Sequence, residues 1–135
     1  EFLTEVSKLQ RLTLMSTGMA SLEDIDSAVE IFEKTGTPLV LLHTVSTYPT
    51  PEEHLNLRTI QTLESRYGLL VGYSGHEAAV SPSLVAAALG AVVVERHITL
   101  DRSMYGSDQA ASLEMNGLQH LVEALDKLPR VLGDG

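Results

Sequence analysis

Short apolar runs alternate with amphipathic stretches along the whole chain, and this alternation predicts strands that are each followed by a helix. The four apolar runs that we interpret as strands lie at residues 11–15, 38–43, 69–72 and 91–96. The run at 38–43 (PLVLLH) is continuously apolar, which is typical of a strand buried on both faces. Because the intervening lengths fit one helix each, the sequence predicts an α/β protein with a parallel sheet built from four βα units.

The helices are predicted from apolar residues that recur at helical spacing. They occupy residues 1–9, 22–34, 52–66, 82–89 and 117–127. Ser21 precedes the second helix and Asp24 follows three residues later, which is the pattern of a capping box. Ser81 followed by Pro82 predicts an N-cap and a first helical position.

The composition is that of an ordinary globular domain. The chain has 135 residues, of which 44% are hydrophobic and 20% charged, and its formal net charge is −9. Because an acidic surface repels phosphate backbones, we expect no nucleic-acid partner. No apolar stretch reaches the roughly 18 residues of a membrane span and no signal peptide opens the chain, so we expect a cytoplasmic protein with no membrane partner. The lack of Cys excludes disulfides and thiolate chemistry.

Each predicted strand ends in small polar or ionisable residues. They are Ser16, Thr17 and Gly18 at the first strand, His43, Ser46, Thr47 and Tyr48 at the second, Tyr73, Ser74, Gly75 and His76 at the third, and Glu95, Arg96 and His97 at the fourth. In parallel α/β folds the ligand site lies at the carboxyl ends of the strands. Four such ends therefore predict a pocket for a polar ligand.

The two-residue period of a strand predicts that Glu95 and His97 share one face, and that Ser74 and His76 do so on the neighbouring strand. Two imidazoles on adjacent strand ends suit a divalent metal ion. An alternative is that His76 and His97 are hydrogen-bonded structural residues. By the same reasoning Ser16 and Ser46 are turn residues, and Glu95 and Arg96 form a structural ion pair.

Five segments together resemble the sialic acid synthase family. They are STGMAS (16–21), LHTVSTYPTPEEHLNLR (42–58), VGYSGHE (71–77), ALGAVVVERHITLD (88–101) and GSDQAASLE (106–114). These motifs come in the order found in the family and cover nearly the whole chain. GYSGHE followed by ERHITLD is the most specific part of the match.

The resemblance implies a TIM barrel that condenses phosphoenolpyruvate with N-acetylmannosamine or its 6-phosphate. The product is N-acetylneuraminate or its 9-phosphate, and phosphate is released. The resemblance also implies that a divalent cofactor, manganese or magnesium, is held by His76 and His97. It places phosphoenolpyruvate at Ser16, Ser46 and Ser74, and the sugar at Tyr48, Glu95 and Asp108.

The chain accounts for only part of such a barrel, because eight strands need about 250 residues. The resemblance matches residues 1–135 to the last four strands, the C-terminal half, with no second domain. The family's lysines for the phosphate and its acidic residues for proton transfer fall in the other half, so we assign no catalytic residue here and expect the chain alone to be inactive. The first residue is Glu1 rather than Met, and we expect a piece of a longer protein.

Two alternatives stay open beside this function. One is a non-catalytic half-barrel that retains metal or phosphate binding, and the other is a synthase for a related nonulosonic acid such as pseudaminic or legionaminic acid. In each case the four-stranded half leaves two sheet edges and an apolar face uncovered. We therefore expect either a homo-oligomer or a complementary half-barrel as the partner.

Overall fold

The computed structural model describes residues 1–135, in which five helices enclose one side of a four-stranded sheet. In chain order the elements are α1 (Phe2–Lys8), β1 (Thr13–Ser16), α2 (Leu22–Thr35), β2 (Leu39–Thr44), α3 (Thr59–Tyr67), β3 (Val71–Gly75), α4 (Ser81–Ala88), β4 (Val94–Arg96) and α5 (Met115–Leu132). Short 3₁₀ turns lie at Glu52–His54 and Gln109–Ala111. None of the helices is both long and apolar enough to span a membrane.

The strands are parallel and lie in the order β1-β2-β3-β4. The order never reverses, unlike that of a doubly wound sheet, which has a switch point. The helices α2, α3 and α4 pack against the outer face of the curled sheet, as they do in a (β/α)₈ barrel. The predicted fold class is therefore confirmed as α/β, half of a TIM barrel with four parallel strands.

The hydrophobic core lies between the outer face of the sheet and the helices. Its buried members are Ile25, Val29, Phe32, Leu39, Leu41, Ile60, Leu63, Val71, Tyr73 and Ala86. Because side chains alternate along a strand, the neighbours of these residues point to the inner, concave face. That face carries Ser16, Ser74 and Glu95 at the strand ends.

The start of α2 is the capping box that the sequence predicts. The Ser21 hydroxyl accepts a hydrogen bond from the Asp24 backbone N–H, and the Asp24 carboxylate accepts one from the Ser21 N–H. The Ser21 N–H and the Ser21 hydroxyl both donate to the Asp24 carboxylate, and because these bonds favour its ionised form they lower the pKa of Asp24 below its ordinary value.

The single helix predicted over 52–66 is wrong, since the segment forms a 3₁₀ turn and then α3. The buried His43 ring donates a hydrogen bond from Nε2 to the Leu55 carbonyl at 2.7 Å, and Asn56 adopts a positive φ of 43°. The Leu55 carbonyl bonds to a ring instead of to a later backbone N–H, and the Asn56 backbone is not helical, so the turn does not continue into α3. Burial lowers the pKa of His43, although the Leu55 carbonyl opposes this shift, so the ring stays neutral and structural.

Three other predicted boundaries shift in the structure. Strand β3 runs to Gly75 instead of ending at residue 72, while β4 begins only at Val94 and α5 covers Met115–Leu132. The predicted cap at Ser81 is wrong, because the Ser83 N–H bonds to the Val80 carbonyl and Val80 becomes the N-cap. Pro82 nevertheless lies in the first turn, as predicted.

Candidate active site at the strand ends

A polar pocket of about 230 Å³ lies at the carboxyl ends of all four strands. Its lining residues are Ser16, Gly18, Thr44, Ser46, Tyr48, Ser74, His76, Glu95 and His97. Of the residues that the resemblance assigns to the site, only Asp108 lies outside this lining, beside His97 at the rim. Gly18 lines the pocket as its place at a strand end predicts, whereas Thr44 was not singled out from the sequence. The other strand-end residues named from the sequence do not line it; they are Thr17, His43, Thr47, Tyr73, Gly75 and Arg96.

His76 is held at both ring nitrogens and is only 5% exposed. Its Nδ1 lies 2.7 Å from the Val45 carbonyl, and its Nε2 lies 3.0 Å from the Tyr48 hydroxyl. A carbonyl oxygen only accepts hydrogen bonds, so Nδ1 carries the proton and donates. In the neutral ring Nε2 is then the acceptor, and it presents its lone pair to the pocket.

His97 faces the same pocket from the end of β4. The centroids of the His76 and His97 rings are 5.3 Å apart, and the rings are nearly perpendicular at 87°. The His97 Nδ1 lies 3.7 Å from the Asp108 Oδ2, which is beyond hydrogen-bond distance, and the side chain is 35% exposed. The expected pairing of two imidazoles on adjacent strand ends is therefore present.

Tyr48 covers both imidazoles. Its ring stacks on His76 at a centroid distance of 4.1 Å and meets His97 edge-on at 5.3 Å. Partial burial raises the pKa of Tyr48 above its ordinary value, and the negative charges of Asp108 and Glu95 add to the shift. The phenol therefore stays protonated at neutral pH and donates a hydrogen bond to the His76 Nε2.

The serine hydroxyls of the pocket differ in whether they already form hydrogen bonds within the protein. Ser74 donates to the Glu95 Oε1 at 2.7 Å, so its proton is not free for a ligand in this arrangement. Ser46 lies so close to Gly18 that a Cβ on Gly18 would come within 2.2 Å of the Ser46 Oγ. A side chain at position 18 would therefore force the Ser46 hydroxyl out of its present place in the pocket.

No Lys or Arg side chain lines this pocket. The three lysines, Lys8, Lys34 and Lys127, all lie in helices, as the sequence indicates, and the first two form exposed ion pairs with Glu5 and Glu30. An anionic ligand would therefore need a cation that is not a side chain of this pocket.

A buried ion pair lies behind the pocket, on the helix side of the strand ends. Arg96 Nη1 is 3.0 Å from the Glu77 Oε1, and the two side chains are 2% and 1% exposed. The alternative of a Glu95–Arg96 ion pair is thus wrong, because adjacent residues of a strand point to opposite faces. The sequence analysis did not identify Glu77 as the partner of Arg96. The available signal was its position directly after His76, which predicts that the two side chains point in different directions.

Tyr73 and Ser83 complete the hydrogen bonds of this ion pair. Both hydroxyls donate to the Glu77 carboxylate, at 2.7 and 3.1 Å, and Arg96 Nη1 donates to the Ser83 Oγ at 2.9 Å. Arg96 Nε alone is buried without a partner. Burial and the Glu77 carboxylate raise the pKa of Tyr73, whereas burial lowers the pKa of Arg96 against the opposing charge of Glu77.

The residues of the pocket fit a divalent metal ion through their donor chemistry. No group of three or more His, Asp or Glu side chains is arranged to hold a metal, and the candidate nitrogen donors in this pocket are the imidazoles of His76 and His97. Imidazole suits first-row transition metals, and His76 is oriented by a backbone carbonyl at its other nitrogen, as metal-binding histidines usually are. Two protein ligands would leave coordination positions open to substrate or water.

The fold and the pocket together define half of a (β/α)₈ barrel with a polar ligand site at the carboxyl ends of its strands. The sequence profile described as the NeuB family matches residues 1–135. The chain belongs to the NeuB family, and this confirms the resemblance found in the sequence.

Individual relatives agree with this assignment. The chain is 39% identical over 137 residues to the N,N'-diacetyllegionaminic acid synthase of Campylobacter jejuni, covering 99% of this chain and 41% of that protein. It is 38% identical over 133 residues to the human N-acetylneuraminate-9-phosphate synthase, covering 98% of this chain and 37% of that protein.

A solved structure is similar over nearly all of the chain. It is the N-acetylneuraminic acid (sialic acid) synthetase from Leptospira borgpetersenii in complex with citrate, with a TM-score of 0.94 and 39% identity, covering 99% of this chain and 47% of that chain. The present chain thus spans less than half the length of these relatives.

Proposed function

We propose that the chain carries part of the active site of a synthase that condenses phosphoenolpyruvate with N-acetylmannosamine or its 6-phosphate. With one water molecule consumed, the products would be N-acetylneuraminate, or its 9-phosphate, and phosphate. The observation that carries the proposal is the pocket itself, in which two imidazoles, three serines and one carboxylate converge at the strand ends of a NeuB-family half-barrel.

In this proposal His76 and His97 hold manganese or magnesium, which when bound would polarise the sugar aldehyde as a Lewis acid. Tyr48 contacts both imidazole rings and Glu95 lines the same pocket, so both would orient the sugar, with Asp108 at the rim. The Glu95 carboxylate accepts hydrogen bonds, as sugar hydroxyls require, and the Tyr48 phenol could donate one once a metal on the His76 Nε2 replaces its present hydrogen bond.

Phosphoenolpyruvate would lie toward Ser16, Ser46 and Ser74. Hydroxyl donors suit its phosphate and carboxylate groups only when a cation completes the site. No Lys or Arg lines the pocket, and Ser74 already donates to Glu95. This supports the proposal that the chain alone turns nothing over and that cationic residues come from the complementary part of the barrel.

Transfer of the chain into a complete relative tests the proposed activity. We expect a chimera of the Campylobacter jejuni synthase, with its matching segment replaced by this chain, to release phosphate from phosphoenolpyruvate with manganese and a sugar substrate. The sugar is N-acetylmannosamine in one assay and the parent enzyme's own substrate in a second. The chain alone should release none.

The matched controls for this assay are His76→Ala and His120→Ala within the chimera. His76 lines the pocket, whereas His120 is exposed on α5, so only the first change should abolish turnover. A folded chimera that is inactive with both sugars would contradict the proposal. Turnover with the second sugar only would favour the alternative, a synthase for a related nonulosonic acid.

We also propose that the chain associates, either with itself or with a complementary half-barrel. Strands β1 and β4 are unpaired sheet edges, and Leu12 and Leu14 at the β1 edge are 66% and 46% exposed. Unpaired edges and exposed apolar side chains favour association. Light scattering at micromolar concentration should therefore give a mass above 14.6 kDa, and a folded monomer of that mass would contradict self-association.

A further inference from the structure

The chain neighbours of the two pocket histidines form a single buried ion pair. Glu77 directly follows His76, and Arg96 directly precedes His97. The two histidines line the pocket, whereas Glu77 and Arg96 both bond to the Ser83 hydroxyl on α4. Neither member of the ion pair lines the pocket.

The sheet register brings this ion pair next to the histidines. Gly75 on β3 pairs with Arg96 on β4, and His76 and His97 directly follow these two residues, with their ring centroids 5.3 Å apart. Arg96 also donates to the Ala79 carbonyl at 3.0 Å and to the Glu77 carbonyl. The guanidinium therefore ties the end of β4 to the segment that follows β3, at the level of the two imidazoles.

His76 and His97 depend on this tie to different extents. The ring of His76 is fixed by Val45 and Tyr48, and its carbonyl accepts from the Thr50 N–H at 3.0 Å. The His97 ring makes no hydrogen bond, so its position follows its backbone. That backbone is held by the Leu113 N–H and by the adjoining Arg96 side chain.

We propose that Glu77 and Arg96 are positioning residues, which set the separation of the His76 and His97 imidazoles and thereby the affinity of the pocket for a divalent cation. The inference rests on the proposed function, since it takes these two histidines as the cation ligands. A buried ion pair is often no more stabilising than apolar residues of the same volume. Its fixed geometry, in contrast, suits the task of holding two strand ends at one distance.

The test uses the 135-residue chain, two variants of the ion-pair cluster and one control. Glu77→Gln keeps the shape of the side chain and removes its charge. Ser83→Ala removes one hydroxyl that bonds to both partners and is the milder change, so it decides the matter if Glu77→Gln does not fold. The control is Phe32→Leu, which perturbs the core on α2 away from the pocket.

Two readouts report on the spacing and on its consequence. In the metal-free chain, the nuclear Overhauser contact between the His76 and His97 rings should weaken in both cluster variants. In a calorimetric titration with manganese alone, the affinity should fall by about ten- to a hundredfold in Glu77→Gln, the range typical for residues that support metal ligands. Phe32→Leu should change neither.

The possible results separate this inference from the proposed function. A folded Ser83→Ala or Glu77→Gln chain with an unchanged ring contact and unchanged manganese affinity would overturn the positioning role alone. Equal losses in Phe32→Leu would also overturn it, because the effect would then be general destabilisation. If the unaltered chain binds no manganese, the assignment of the ligands fails and the inference fails with it.

Discussion

Replacing Arg96 with methionine is expected to lower the free energy of unfolding by about 3–5 kcal/mol, the cost of leaving one member of a buried ion pair without its partner. Glu77 is 1% exposed, and its carboxylate would keep only the Tyr73 and Ser83 hydroxyls as donors. Methionine fills much of the arginine volume, so the loss reports the ion pair and hydrogen bonds of the guanidinium rather than a cavity. Urea unfolding followed by circular dichroism measures the effect.

An exposed ion pair in the same chain provides the matched control. Arg66 bonds to Asp26 through two nitrogens, but the two side chains are 45% and 43% exposed. Water screens such a pair, so Arg66→Met should change the unfolding midpoint far less. A second comparison is Glu77→Leu added to Arg96→Met, which removes the orphaned charge and should recover part of the loss. Equal midpoints for Arg96→Met and the unaltered chain would contradict the importance of the buried pair.

Manganese binding to the chain is expected to fall by at least about a hundredfold when either His76 or His97 is replaced with alanine. Residues that merely support a metal ligand cost about ten- to a hundredfold when changed, so the loss of one of only two protein ligands should cost no less. Isothermal titration calorimetry of the separate variants and of the double variant measures this. Unchanged binding in the double variant would refute the assignment of the ligands.

Two further variants make the titration specific. His120→Ala removes an exposed histidine of α5 and should leave the affinity unchanged. Tyr48→Phe removes the hydroxyl that bonds to the His76 Nε2 at 3.0 Å, the nitrogen whose lone pair a metal would need. Because a hydrogen bond contributes about 0.5–1.5 kcal/mol net, its removal should tighten binding by about two- to tenfold. Weaker binding in Tyr48→Phe would mean that the phenol assists the metal instead of competing with it.

The inner and outer faces of the strands follow from local sequence alone. The two-residue period places Ser74, His76, Glu95 and His97 on one face, and the structure places all four on the pocket. The capping box at Ser21 is equally local, since its two partners are three residues apart. The break after residue 54 was not predictable in this way, because it depends on the bond from His43 to Leu55, which joins two different elements.

The sequence by itself determined the four βα units, the parallel sheet and the residues that meet at its carboxyl edge. Periodicity and capping act over a few residues, so they can be read without knowing the rest of the fold. Only the tertiary structure decided that Arg96 pairs with Glu77, 19 residues away, and that the Tyr48 hydroxyl lies against His76, 28 residues away. Contacts between residues so far apart in the sequence depend on how strands align and how helices pack on them, and no local pattern specifies that alignment.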